Sequence, residues 1–210
     1  MSSVKRVGVL TGGGDAPGLN PAIKGLVYRG SELGLHIVGL FDGWRSLINP
    51  LPDTLPLDRD AVRRWDRDGG TNLGSSRTNP FRVTTEQGEH VDRSREVLAN
   101  IATLKLDEIV ACGGEDTLGV AAGLAQLGVP VVGIPKTIDK DLAGTDYTLG
   151  FDTALRNVSE IIERSIEAHA SEFERTGRKW TAFFENEAEN AGQRIGVKYA
   201  EVFEVLKWLA

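Results

Sequence analysis

Residues 135–141 read PKTIDKD, placing two lysines, two aspartates and a threonine directly after the aliphatic run VPVVGI at 129–134. A buried strand has no need of such charges, so their position points to chemistry. Two other clusters share the setting. TGGGDAPG at 11–18 ends the β-branched run VKRVGVLT, and GGEDT at 113–117 ends DEIVACGG. Glycine turns let backbone N–H groups approach an anion, and a helix starting there adds the positive end of its dipole. The turn Gly12-Gly13-Gly14 is not a Walker A loop, because no Gly-Lys-Ser/Thr follows. Nor is it a dinucleotide fingerprint, because Pro17 takes the last glycine position counted from Gly12. Glu115 with Asp116, and Asp139 with Asp141 around Lys140, add hard oxygen ligands. Mg²⁺ takes a few carboxylates beside phosphate oxygens and water, so two acidic pairs at neighbouring strand ends suit a magnesium–phosphate site. The plainer alternatives are an acidic pair serving only the helix dipole and a solvated turn with local ion pairs.

The elements that would position these clusters alternate. Strands are expected at 4–11, 35–41, 107–114 and 129–134, and helices at 20–33, 94–106, 117–128 and 152–170. Asn20 is expected to cap the first helix with Pro21 as its first residue. The last helix carries an apolar stripe at Leu155, Val158, Ile161, Ile162 and Ile166. Residues 43–90 are polar, rich in Gly, Pro and Arg, and show little periodicity. Strand, glycine turn, helix, strand is the rhythm of a doubly wound parallel, Rossmann-like α/β sheet, in which ligands bind outside the carboxyl ends of the strands. All three clusters sit at such ends.

Composition narrows the function classes. A chain of 210 residues holds one large domain or one and a half smaller ones. Its net charge of −6 argues against non-specific nucleic-acid or membrane-surface binding while allowing a local cationic pocket. The single cysteine, Cys112, rules out an internal disulfide, fits a reducing, cytoplasmic setting, and reads as a small buried strand residue. No apolar run reaches membrane-spanning length, and MSSVKRVGVL lacks a signal-peptide core. His36, His90 and His169 have no metal-ligand spacing. Arg29 and the arginines at 59–67 read as interface or solvated charge.

The strings GVLTGGGDAPGLNPAIKG (8–25), FDGW (41–44), GGTNLGSSR (69–77), GGEDT (113–117) and PKTIDKDLAGTDYTLGFDTA (135–154) together resemble the phosphofructokinases, in the family's order and spacing, over residues 4 to 170. The resemblance implies phosphoryl transfer to the 1-hydroxyl of fructose 6-phosphate, with Mg²⁺, in a homo-oligomer. On matching positions it implies that Gly13, Gly14, Asp116, Thr117 and Lys136 bind the donor. Arg77 would contact the transferring phosphoryl group, with Glu115 and Asp141 at the metal. Thr137, Ile138 and Asp139 would meet the sugar, Thr137 touching the phosphoryl group and Asp139 acting as general base. Asp116 and Lys136 resemble the pyrophosphate-using members, where ATP-using ones usually have glycine. A carboxylate at 116 would repel a nucleotide's α-phosphate, and a lysine at 136 gives a small tetra-anion a point charge. Phe41 matches an aromatic position near the nucleotide base in ATP-using relatives, with ordinary strand-end packing as the other reading.

Two positions and one segment depart from the family. Glu115 stands where an aspartate is usual, Lys140 where asparagine is usual, and a cation at 140 would lower the basicity of Asp139 or pair with Asp141. Residues 171–210 do not resemble the family's second half, and Trp180 and Trp208 read as core or interface residues. The expected organisation is therefore a donor-binding α/β domain at 1–150, followed at 151–210 by a crossover helix and an atypical helical segment in place of a truncated second domain. The leading reading is a phosphotransferase using pyrophosphate. The alternatives are an ATP-dependent 6-phosphofructokinase and a catalytically incomplete relative that only binds Mg²⁺ and phosphate.

Overall fold

A computed structural model of the chain describes residues 4–139 and 141–167. Lys140, the side chain of Ile166, His169 and the segment 171–210 lie outside the described residues. The chain divides into two units, Met1–Arg156 and Asn157–Ala210. In order, the elements are β1 (Arg6–Thr11), α1 (Leu19–Glu32), β2 (His36–Leu40), α2 (Trp44–Ile48), β3 (Thr54–Leu57), β4 (Val83–Thr84) and β5 (His90–Val91). There follow α3 (Ser94–Thr103), β6 (Glu108–Gly113), α4 (Glu115–Gln126), β7 (Val131–Thr137), β8 (Leu149–Gly150) and α5 (Phe151–Glu167).

Six strands form one sheet in the order β3-β2-β1-β6-β7-β8. All neighbours are parallel except β2 and β3, so the sheet is mixed at one edge. The antiparallel β3, with Pro56 on that edge, is a strand that periodicity did not reveal. A four-residue run containing proline gives little alternating signal, and proline is tolerated where a strand has only one partner. Likewise α2 is a single short turn of helix inside a stretch that reads as polar loop.

Alternation along the strands sends side chains to two cores. Val7, Val9, Ile37, Val110 and Cys112 face α1 through Leu19, Ile23 and Val27. Leu10, Val38, Leu40, Ile109 and Ala111 face α2, α3 and α4 through Trp44, Leu47, Val97, Ile101, Val120 and Leu124. Helices on both faces complete the doubly wound α/β architecture expected from the sequence. Strand β7 is less buried than its aliphatic run suggests, with Val132 47% exposed. The apolar stripe of α5 is present and solvent-facing, Leu155 being 54% and Val158 53% exposed.

Strand order reverses between β1 and β6, and the crevice at their carboxyl ends is filled by Thr117. A Cβ added at Gly12 or at Gly113 would collide with the Thr117 side chain. Glycine at these two positions is thus a packing requirement. Gly113→Ala is expected to destabilise the fold by about 1–3 kcal/mol through overpacking, read as a lower denaturant midpoint. An unchanged midpoint would show that α4 can withdraw from the crevice.

Candidate active site

The three clusters meet. A cavity of 270 Å³ opens at the carboxyl ends of β1, β6 and β7, and its lining joins Gly13 and Gly14 of the first turn to Gly114, Glu115, Asp116 and Thr117 of the second. Lys136, Thr137, Asp139 and Asp141 close the third side, and Arg77 enters from the loop after Gly74. Every expected site residue except Ile138 lines this cavity. Ile138 is 49% exposed and lies outside the lining.

Lys136 is the least ordinary of these residues. Strand β7 runs further than the aliphatic pattern indicates, because its last two residues pair with β8, Lys136 with Leu149 and Thr137 with Gly150. Lys136 therefore lies in a strand, 5% exposed, rather than in a solvated turn. Its ammonium donates to the carbonyl of Gly14, tying β7 to the first glycine turn. Burial pushes the Lys136 pKa below the usual lysine range, offset in part by Asp15 and Asp139 and reinforced by Arg77.

The glycine turn offers fewer free amides than its composition suggests. Gly12 N–H donates to the Cys112 carbonyl at 2.9 Å and Gly13 N–H to the Ser76 carbonyl at 3.0 Å. Among the described residues, Gly14 is the glycine of this turn whose amide makes no such bond. Thr137 is held by bonds within its own turn. Its hydroxyl donates to Asp141 Oδ1 at 3.1 Å and accepts from the Asp139 amide at 3.0 Å. It shapes the TIDKD turn while lining the cavity, with Thr148 Oγ1 donating to its carbonyl at 2.8 Å. Thr117 lines the cavity while its side chain fills the crevice and its carbonyl accepts from the Trp44 indole at 3.1 Å. Glu115 and Asp116 occupy the first turn of α4, so they serve its dipole and the cavity together.

The donor set suits a magnesium phosphate complex. Four carboxylates and two cationic side chains line the cavity, so a polyphosphate anion entering alone would meet a carboxylate excess that a divalent cation offsets. Among the described residues no group of three or more His, Cys, Asp or Glu side chains could hold a metal by protein ligands alone.

Two residues escaped the sequence reading. Asn20 is fully buried and does not cap α1, which starts at Leu19 after Gly18 in a left-handed conformation. Its amide binds the 68–72 loop instead: Nδ2 donates to the Asp68 carbonyl at 3.1 Å, and Oδ1 accepts from Asn72 N–H at 2.8 Å. Ser75 donates to the Gly13 carbonyl at 2.7 Å. Neither signal is local in sequence. Of the remaining candidates, Phe41 packs against the α1-side core, and Cys112 is buried, its thiol pushed up to about 12 by desolvation. His36 and His90 are exposed. Arg29 and Arg59 pair with Glu32 at the surface, Arg59 also lying 5.0 Å from the Tyr28 ring centre.

The model of the family described as Phosphofructokinase matches residues 6–177. The chain belongs to the phosphofructokinase family. It is 52% identical over 162 residues to a pyrophosphate–fructose 6-phosphate 1-phosphotransferase of Dictyoglomus thermophilum, a match covering 77% of this chain and 44% of that one. An ATP-dependent 6-phosphofructokinase of Streptomyces coelicolor is 45% identical over 160 residues, covering 76% and 44%. The chain thus spans less than half the length of the curated relatives it matches. Among solved structures, phosphofructokinase from Saccharomyces cerevisiae aligns with a TM-score of 0.64 at 26% identity, over 80% of this chain and 24% of that one. A pyrophosphate-dependent phosphofructokinase from Marinobacter aquaeolei aligns at 0.67 and 18% identity, over 80% and 42%, and shares the fold.

Burial of a charged lysine in this phosphofructokinase chain has a pH signature. A base whose folded pKa lies below its unfolded value lowers stability while charged, and stability rises as pH climbs from the folded pKa toward the ordinary 10.5. Lys136→Met is expected to lose this dependence. The stability gap between variant and parent should therefore shift in the parent's favour as pH rises through that window. Thermal melts of both proteins from neutral to alkaline pH test this, and parallel curves would contradict it.

Proposed function

We propose that this chain carries the donor half of a phosphotransferase that moves a phosphoryl group from pyrophosphate to the 1-hydroxyl of fructose 6-phosphate. The observation that carries the reading is the buried Lys136 ammonium held at the Gly14 carbonyl, a point charge set beside the glycine turn in a cavity that Asp116 also lines. Such a charge holds a compact tetra-anion without an adenosine anchor, and a carboxylate at 116 opposes a longer polyphosphate. The 52% identity to a relative named for pyrophosphate supports the same choice.

In this reading Asp139 accepts the hydroxyl proton as the new O–P bond forms and the pyrophosphate P–O bond breaks, releasing orthophosphate. Arg77 and Lys136 face the charge spread over the transferring group, where positioning and electrostatics dominate the catalysis. Asp141, tied to Thr137, holds the turn that presents Asp139. Glu115 and Asp141 would hold Mg²⁺, which when bound supplies positive charge to the phosphate oxygens. A second reading is a member of the family that binds magnesium and phosphate without turning over. As in its family, the chain is proposed to act as a homo-oligomer in the cytoplasm.

Asp139→Asn is expected to lower turnover by roughly 10²–10⁴-fold, the usual worth of a positioned general base, with pyrophosphate affinity by calorimetry unchanged. Near-normal turnover would remove Asp139 from that role, while pyrophosphate binding without any turnover in the parent chain would select the second reading. The double change Asp116→Gly with Lys136→Gly is expected to move donor preference from pyrophosphate toward ATP, compared by kinetics or binding. An unmoved preference would discard the explanation from these two side chains.

A further inference from the structure

The loop that delivers Arg77 is stitched to α1 at its start and to the glycine turn at its end. At its start, buried Asn20 of α1 grips Asp68 and Asn72 through both ends of its amide. In the middle, the hydroxyl of buried Thr11 donates to the Gly74 carbonyl at 2.6 Å and lies 2.8 Å from Thr71 Oγ1. At its end, Gly13 and the two serines before Arg77 bond reciprocally: Ser75 Oγ to the Gly13 carbonyl at 2.7 Å, and Gly13 N–H to the Ser76 carbonyl at 3.0 Å. The Ser76 hydroxyl then donates to the Asp42 carbonyl at 2.6 Å, anchoring the same end to the exit of β2. These bonds satisfy buried polar groups that would otherwise be costly to leave unpaired. They also join two cavity walls that are 60 residues or more apart in the chain.

We propose that Asn20 and Ser75 are positioning residues for Arg77. They clamp the loop to the β1–α1 turn, so the guanidinium and the glycine turn approach the donor as one rigid unit. The proposal rests on the reading of the cavity as a pyrophosphate site. It adds that affinity depends on a hydrogen-bonded scaffold built from residues that touch no donor atom. Neither residue acts alone, because the two hold opposite ends of one loop.

The test is a double-mutant cycle read by calorimetric titration of the full chain with magnesium pyrophosphate. Ser75→Ala is expected to weaken binding roughly 2- to 10-fold, the worth of one net hydrogen bond, and Ser75→Thr, which keeps the hydroxyl, to restore it. In an Arg77→Ala background, Ser75→Ala should cost less than about twofold, because coupled residues are non-additive. Asn20→Asp, which loses the donor to the Asp68 carbonyl, should behave the same way. Hydrogen exchange should rise in residues 68–77 in both variants while α4 keeps its protection. Additive effects, or an unchanged exchange rate in the loop, would overturn the proposal. If Asn20→Asp fails to fold, the Ser75 cycle decides alone. If the parent chain binds no magnesium pyrophosphate, the functional reading falls, and the positioning role falls with it; additivity in a chain that does bind refutes the positioning role by itself.

Discussion

The side chain of Thr117, pressed into the crevice between Gly12 and Gly113, is the contact that sets the geometry of the cavity. A parallel sheet whose strand order reverses leaves a gap at the reversal, because the connections on either side leave in opposite directions. Here the gap lies between β1 and β6. Filling it from the first turn of α4 fixes how far that helix sits from the first glycine turn, and hence where Glu115 and Asp116 stand. The Trp44 indole secures the same helix turn from the other side through the Thr117 carbonyl. Two glycines, a threonine and a tryptophan thus convert a topological accident of the sheet into a fixed distance between an acidic wall and an anion-facing turn.

Against that frame, Lys136 is an expense the fold tolerates. A lysine near the end of a strand, 5% exposed, gives up most of its hydration, and one carbonyl bond does not replace it. The lowered pKa expresses this mismatch. Polar residues held where water cannot solvate them are typical of sites that trade stability for function.

The parts legible in the sequence were those with local signals. Glycine turns and acidic pairs at the ends of aliphatic runs located the three clusters, and alternating periodicities gave the doubly wound sheet. What the sequence hid was non-local. Asn20 has the residue type and position of a helix cap, yet its amide is spent 48 to 52 residues away. The extension of β7 through Lys136 and Thr137 depends on pairing with β8, which no aliphatic pattern announces. Segments α2 and β3 are too short for a period to emerge, and Pro56 masks the strand further. An amide near a helix start has several partners within reach, and only the fold selects among them.

The placement of Asp139 follows from the same strand that carries the cation. Lys136 and Thr137 are the last residues of β7, and Asp139 comes two residues later, its amide fixed to the Thr137 hydroxyl. The separation between Lys136 and Asp139 is therefore set by three residues of one chain segment, with no docking of separate elements to adjust it. Ile138 between them points away from the lining and is 49% exposed. In the proposed reading, an acceptor hydroxyl that gave its proton to Asp139 would therefore meet the donor beside Lys136 across a turn that Thr137 holds through Asp141 and the Asp139 amide.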